Sequence, residues 1–319
     1  MTLKKILQTI KKGKRFLIST HVSPDPDALC SELALYMVLK AMGKEVHVVN
    51  EEKLPKRYRF LSGSSRIKSF HKGLKLNVDA ALILDCGEMD RIGKVQSLLC
   101  GHETIINIDH HVTNDRFGDI NLIDVNASST AEVLYEFLKY ARCRLNKEMA
   151  GHLYLGIMTD TGSFRYENTT SRTFEVVSEL VKYGFSTNRL YQQVYDTIPF
   201  NDLREVAGVI SDSKAVFSGK VIAIQLSKKI LAKFTLQFDL RDTIFRFLRS
   251  VEAIEVIAIL TELTSVKTRV NLRSNKTFDV AKLASLYGDG GHKRASGCMI
   301  NKPLKEAQAD LIKRIGSML

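Results

Sequence analysis

Lys14-Arg15-Phe16-Leu17-Ile18-Ser19-Thr20 runs directly into His21-Val22-Ser23-Pro24-Asp25-Pro26-Asp27-Ala28. The first seven residues have the short apolar pattern of a buried strand. Two prolines then stiffen a loop, and Pro26 suits the first turn of a helix. From about 27 to 42, Leu29, Leu33, Met37 and Ala41 fall on one stripe, and Gly43 stops the helix. Glu45 to Val49 reads as the next strand. Strand, loop, helix and strand in that order predict a βαβ unit and a parallel sheet.

Working outward, the pattern recurs. Asp79 to Leu84 is a nearly continuous apolar run, as in a sheet covered on both faces, and it ends in Asp85-Cys86-Gly87. Thr104 to Ile108 is another, ending in Asp109-His110-His111. Helices are expected over 128–141 and 147–158, and Thr159-Asp160-Thr161-Gly162 sets a further acid in a turn. Strand ends thus deliver His21, Asp25 and Asp27, then Asp85, then Asp109, His110 and His111, while Asp160 arrives from a helix end. Ligands of open α/β sheets sit beyond the carboxyl ends of the strands. Singly these residues have ordinary readings: Asp27 or Asp160 as a helix cap, the histidines as surface. Together they suggest a metal and acid/base site. Mixed carboxylate and imidazole donors without thiolate suit Mn²⁺, Fe²⁺ or Co²⁺ better than structural Zn²⁺. Asp25, Asp27, Asp85 and Asp160 are more acids than one ion needs, so two ions sharing a carboxylate, as in phosphate-ester hydrolysis, are expected.

The chain has 319 residues, 45% of them hydrophobic and 26% charged, which is ordinary for a globular protein of two domains. No apolar run approaches the roughly 18 residues that span a bilayer. The start, Met1 to Leu7, reads as a basic amphipathic helix rather than a signal peptide. Five cysteines without a C-x-x-C pair fit reduced thiols and a cytoplasmic location. Net charge is +12, and from Ser213 onward 19 Lys/Arg face 9 Asp/Glu. That bias predicts a C-terminal domain that meets phosphates or nucleic acid, against the plainer reading of a merely basic surface.

The second half continues with Ser163-Phe164-Arg165, where Arg165 could meet a phosphate. Asn168 to Ser171 read as an N-cap leading into a helix through Tyr183. A helical stretch over 187–212, interrupted by Pro199, is expected to link a catalytic domain over 1–186 to a smaller α/β domain over 213–319, with a cleft between them. In the latter, strands are expected over Lys220–Leu226, Glu255–Leu263 and Thr268–Ser274, then a helix over Asp279–Tyr287. Gly288-Asp289-Gly290-Gly291-His292-Lys293-Arg294 follows. Glycines let backbone N–H groups approach an anion, and Arg273, His292 and Arg294 add donors.

In this order and spacing, His21-x-x-Pro24-Asp25-x-Asp27, Leu84-Asp85, Asp109-His110-His111 and Thr159-Asp160-Thr161-Gly162 resemble the DHH phosphoesterase superfamily. Val270-Asn271-Leu272-Arg273-Ser274 and the Gly288–Gly297 run are similar to its DHHA1 signatures. Over its whole length the chain resembles the NrnA-type branch of nanoRNases and pAp phosphatases. The resemblance implies an N-terminal parallel-sheet domain with helices on both faces. His21, Asp25 and Asp85 would hold one Mn²⁺. Asp27, Asp85, His110 and Asp160 would hold a second, with Co²⁺ or Mg²⁺ as substitutes. His111 would touch the scissile phosphate and Asp109 would steady the histidines. Arg165, Arg273, Ser274, Gly290, Gly291, His292 and Arg294 would bind substrate: short single-stranded RNA or 3′-phosphoadenosine 5′-phosphate. No membrane is implied, and a homodimer is left open. A cyclic-dinucleotide phosphodiesterase, a RecJ-type single-strand exonuclease and a non-catalytic nucleotide-binding regulator are the alternatives. Three departures stand out: Pro26 where glycine is commoner, Cys30 before Ser31 where glycine is usual, and Asp289 inside the glycine run, expected to point outward.

Overall fold

The computed structural model describes residues 1–235 and 238–319, without the side chain of His292. The chain separates into two compact units, Met1–Val194 and Tyr195–Leu319.

The first unit opens with α1 (Thr2–Lys12), which buries Ile6 and Ile10 and turns its lysines outward. Then come β1 (Arg15–Thr20), α2 (Pro26–Ala41), β2 (Glu45–Asn50), β3 (Ile67–Ser69), β4 (Ala80–Leu84), β5 (Thr104–Asp109) and β6 (Ile120–Ile123). Helices α3 (Thr130–Tyr140), α4 (Lys147–Asp160), α5 (Ser171–Val181) and α6 (Thr187–Tyr195) follow. The strands form one six-stranded sheet in the order β3-β2-β1-β4-β5-β6, every pair parallel. Strand order reverses at β1 and β4, which is where such sheets place their ligands.

The apolar runs identified in the sequence fill the middle of this sheet. Phe16, Leu17, Ile18 and all of β4 are fully buried, because both faces are covered. On one face Leu17, Val49, Ala81 and Ile83 pack against Ile92, Val95 and Leu98, which belong to a 3₁₀ segment, Met89–Leu98, kinked at Gly93. α2 and α4 pack against each other, and α2 also packs on β1, β2 and β4. Every residue from Asp27 to Leu35 in α2 is buried, so this helix is covered on all sides, as expected of an internal one. The N-cap of α2 is Asp25, whose carboxylate accepts the Ala28 N–H at 3.1 Å. Asp27, an alternative cap in the sequence, lies inside the first turn and is free for other work.

The second unit carries α7 (Phe200–Ser211), β7 (Ala215–Val216), β8 (Val221–Leu226), α8 (Lys228–Leu231), α9 (Leu240–Arg249), β9 (Val256–Thr264), β10 (Lys267–Ser274), α10 (Val280–Ser285), β11 (Gly291–His292), β12 (Ala295–Ile300) and α11 (Leu304–Met318). Its six-stranded sheet runs β11-β12-β10-β9-β8-β7, parallel at β8–β9 and antiparallel elsewhere. Strand alternation builds two cores. Val256, Ala258 and Leu260 face Leu283 of α10 and Leu311 of α11, whereas Ile257 and Ile259 face Ile244 and Leu248 of α9. The whole is an α/β fold of two unequal domains. α9 and α11, left unassigned by the sequence reading, supply one wall of each core.

Candidate metal centre

At the carboxyl edge of the first sheet, β1 hands on His21, β4 hands on Asp85, and β5 ends at Asp109, followed by His110 and His111. Among the described residues, donor atoms lie within 4.8 Å of one another in each of three groups: His21, Asp25 and Asp85; Asp27, His110 and Asp160; and Asp85, His110 and His111. Asp85, just past the end of β4, has a left-handed backbone, φ 53°. Aspartate tolerates that region better than most residues, and such strain gathers at functional sites. Its two oxygens face different ways. Oδ2 lies 3.5 Å from His21 Nε2, while Oδ1 lies 3.8 Å from His110 Nε2 and 3.7 Å from His111 Nδ1. His110 Nε2 is also 3.4 Å from Asp160 Oδ2.

Each histidine has one ring nitrogen committed to a nearby oxygen. His21 Nδ1 is 2.8 Å from the Val22 carbonyl, and His110 Nδ1 is 3.3 Å from the Ala127 carbonyl. In both, an Nδ1–H donated to the carbonyl leaves Nε2 turned to the carboxylates. His111 Nδ1 donates to Asp109 Oδ1 at 2.7 Å. Asp109 is wholly buried and also accepts the His110 N–H at 2.8 Å and Asn114 Nδ2 at 2.6 Å. Asn114 further donates to Asn107 Oδ1 and the Cys86 carbonyl. Asp109 is therefore saturated as a support.

Burial and like charge set the electrostatics. Burial raises Asp27 well above the usual carboxylate range, and the charges of Asp85, Asp160 and Asp25 raise it further. Asp160 is pushed up to about 6, first by burial. Burial also works against an ionised Asp85, but the His21 hydrogen bond and the neighbouring imidazoles hold its carboxyl well below the usual range. For His111, burial opposes the cation. The Asp109 hydrogen bond and the Asp85 charge outweigh it and push the imidazole up to about 9. Carboxylates so crowded, with Asp27 and Asp85 buried among them, form a place where a divalent cation relieves their repulsion. The donors are oxygen and imidazole nitrogen. Cys86, beside Asp85, instead turns its Sγ to the Glu88 carbonyl and is pushed up to about 12, chiefly by burial. The donor set fits a hard or intermediate divalent ion.

Residues without any catalytic signature hold the set. Thr130 Oγ1 donates to Asp85 Oδ1 at 2.8 Å, and the N–H groups of Thr130 and Ala131 donate to the two oxygens of Asp27 at 2.7 and 3.0 Å. Gly156 of α4 stands against the same carboxylate. A Cβ there would lie 2.6 Å from Asp27 Oδ1 and 2.7 Å from Ala131 Cβ. The signal in the sequence was Ser129-Thr130-Ala131-Glu132, which reads only as a helix start; the contact with Asp27 spans 103 residues.

Of the substrate-binding candidates, Arg165 is exposed beyond Asp160, and its Nε donates to the Gly162 carbonyl. The others fall in the second unit. Ladder pairs Arg273↔Ala295 and Gly291↔Ser296, with Ser274 N–H donating to the Arg294 carbonyl, bring Arg273, Ser274, Gly291 and Arg294 to one end of its sheet. Arg273 stacks on Phe245 of α9, 4.8 Å from the ring centroid. Ser274 is buried, and its Oγ has no hydrogen-bond partner among the described residues. Gly291 sits at φ 147°, where a Cβ would press on Ala295 and Ser296. His292 is on β11, with its side chain outside the described residues. Asp289 is exposed, and its carboxylate accepts the Met299 N–H at 2.8 Å.

Residues 15–157 match the model of the DHH family, N-terminal domain, and residues 239–319 match the DHHA1 domain. A probable bifunctional oligoribonuclease and PAP phosphatase NrnA of Streptococcus mutans is 32% identical over 296 residues, 92% of each chain. The chain belongs to the DHH family. Its enzyme class is that of a hydrolytic phosphoesterase, and DHH phosphoesterases work with divalent metal ions. The bifunctional oligoribonuclease and PAP phosphatase NrnA of Bacillus subtilis is 27% identical, across 92% of each chain. A crystal structure of an exopolyphosphatase-related protein from Bacteroides fragilis superposes with a TM-score of 0.89 at 26% identity, covering 98% of this chain and 94% of its own. RecJ of Thermus thermophilus shares the fold, with a TM-score of 0.55 at 13% identity over 53% of its length. Among the described residues, no helix of this DHH protein is long and apolar enough to cross a membrane.

Proposed function

We propose that this protein hydrolyses short oligoribonucleotides to mononucleotides and 3′-phosphoadenosine 5′-phosphate to AMP, with two Mn²⁺ ions at the first-domain site. The observation that carries the reading is Asp85, whose Oδ2 faces His21 and whose Oδ1 faces His110. A carboxylate so placed suits a bridge between two ions, one held with His21 and Asp25, the other with Asp27, His110 and Asp160. The substrate classes rest on the likeness to the NrnA proteins.

When bound, such ions supply charge neutralisation at phosphoryl oxygens and water acidic enough to serve as nucleophile near neutral pH. The chain's own residues do the rest. Asp109 accepts from His111 Nδ1 and fixes the ring, so Nε2 is the atom that meets a phosphoryl oxygen. Bound dications would pull the His111 pKa back down, but the Asp109 bond keeps a proton on Nδ1 in either protonation state. Arg273, Ser274, Arg294 and the Gly290–Gly291 backbone take the base and the remaining phosphate, arginine suiting phosphate through its planar fork of donors. Arg165 serves as a further phosphate contact.

The test is a panel of substrates with the purified protein in Mn²⁺: a diribonucleotide, 3′-phosphoadenosine 5′-phosphate, c-di-AMP and a long single strand. Preferential cleavage of the first two is expected. Turnover of c-di-AMP alone, or of the long strand alone, would move the reading to a cyclic-dinucleotide phosphodiesterase or to a RecJ-like exonuclease. Binding without turnover would make the protein a nucleotide-binding regulator.

A further inference from the structure

We propose that the segment Ala127–Ala131, which enters α3, is the template that sets the geometry of the metal centre, and that Thr130 is its positioning residue for the ion held by His110 and Asp160. The proposal rests on the two-ion reading above. None of these five residues offers a carboxylate, imidazole or thiol, yet four of the six proposed ligands report to them or to their brace. The Ala127 carbonyl faces Nδ1 of His110 at 3.3 Å. The Thr130 hydroxyl bonds Asp85, and the Thr130 and Ala131 N–H groups bond Asp27. Asn168 Nδ2 donates both to the Ser128 carbonyl at 2.8 Å and to the Asp160 carbonyl at 3.2 Å, tying the segment to the fourth ligand.

The segment is itself held rigidly. Ser129 caps α3 by accepting the Glu132 N–H at 3.1 Å. Glu132, with no exposed surface, accepts from the Ser128 N–H and hydroxyl and from Thr173 Oγ1. Its other oxygen lies 3.2 Å from Arg172 Nε, and Arg172 reaches Asp124 at 2.6 Å. Ser128, Ser129 and Thr130 are all fully buried. A helix start exposed to water would need only its cap; one tied to a buried glutamate, an arginine and two further elements is fixed for another purpose.

The Thr130 hydroxyl bonds the Asp85 oxygen that faces His110, not the one that faces His21. Losing it should therefore disturb the two ion positions unequally. The backbone bonds to Asp27 survive any side-chain change at Thr130, so the effect is confined to Asp85.

The experiment is calorimetric titration of the metal-stripped full-length protein with Mn²⁺, comparing wild type with Thr130→Val, Thr130→Ser and Asn168→Ala, and using Asp160→Asn to mark the step of the second ion. Outer partners of ligands are worth about 10- to 100-fold in metal affinity. Thr130→Val, nearly isosteric, should weaken the marked step by that factor, leave the other step within about threefold, and be rescued by Thr130→Ser. Asn168→Ala should weaken the same step. Unchanged binding in Thr130→Val, equal weakening of both steps, or failure of serine to rescue would overturn the proposal. If Thr130→Val fails to fold, Asn168→Ala decides, and an effect on the other step or on neither overturns it. Uptake of a single ion by wild type would instead overturn the two-ion reading beneath it.

Discussion

At the edge of the first sheet, Asp27, Asp85 and His110 are each less than a tenth exposed. At the gathered end of the second sheet, Arg273 and Arg294 are only half-buried, and Arg273 rests on the face of Phe245. The two regions solve opposite problems. Crowding acids out of water is costly, so the first needs hydrogen-bond donors from a distant part of the chain to hold Asp27 and Asp85. A guanidinium at the surface keeps much of its hydration and can lie on an aromatic ring, so the second needs less support. The metal centre should accordingly be rigid and intolerant of change, and the arginine end tolerant and sensitive to salt.

The largest test of that contrast is Asp85→Ala. Charge stabilisation by a metal ion is worth several kcal/mol, and about 4 kcal/mol corresponds to roughly 10³-fold in rate. A loss of that order in diribonucleotide hydrolysis with Mn²⁺ is expected, with the fold intact by circular dichroism. Near-wild-type turnover would remove Asp85 from the centre and with it the contrast.

Next in size is a pH effect from a buried group away from the centre. His152 in α4 is buried, donates Nε2–H to the Ser62 carbonyl at 2.9 Å, and is pushed down to about 4, chiefly by burial. The unfolded chain takes up a proton near pH 6.5 and the folded one only near pH 4. The stability that neutral His152 confers is present above about pH 6.5 and is lost as pH falls towards 4, by up to about 3 kcal/mol. Urea denaturation between pH 7 and 4.5 should show wild type losing stability relative to His152→Gln. Parallel curves would show that burial in the first unit does not act through this group.

Gly156→Ala is expected to cost about 1–3 kcal/mol, since the new methyl meets Asp27 and Ala131 with no room to yield. Chemical denaturation reads the cost, and Mn²⁺ affinity should fall alongside. A stable variant with unchanged affinity would show that the centre can relax after all.

Smallest is Arg273→Ala, which should raise KM about tenfold with little change in kcat, as for an interaction made equally in ground and transition states. The effect should shrink in high salt, because a half-exposed cation is screened. An unchanged KM would take Arg273 out of substrate binding.

The parallel sheet was legible because buried strands read as unbroken apolar runs, and Phe16–Ile18, Ala80–Leu84 and Ile106–Ile108 lie where those runs put them. The carboxylates and histidines were legible too, since acids at strand ends have few structural uses. α9 was missed although Leu240, Ile244, Phe245 and Leu248 have helical spacing, because charged residues alternate closely with them. Asn114 and Gly156 gave no sign, and Asn168 read only as part of the cap that Thr170 in fact supplies; each acts through a partner brought near only by folding.

By itself, then, the sequence determined the kind of sheet, the chemistry available at its edge and the family, since apolar periodicity and donor types are local properties. Only the tertiary structure decided that Asp25 caps α2 while Asp27 is gripped by α3, that the two oxygens of Asp85 face separate groups, and that Ala127–Ala131, a segment without a titratable side chain, bonds His110, Asp85 and Asp27. Apart from the local Asp25 cap, those are matters of which atoms meet across 17 to 104 residues of chain. Hydrogen bonds act over about 3 Å, and only the fold sets which groups come that close.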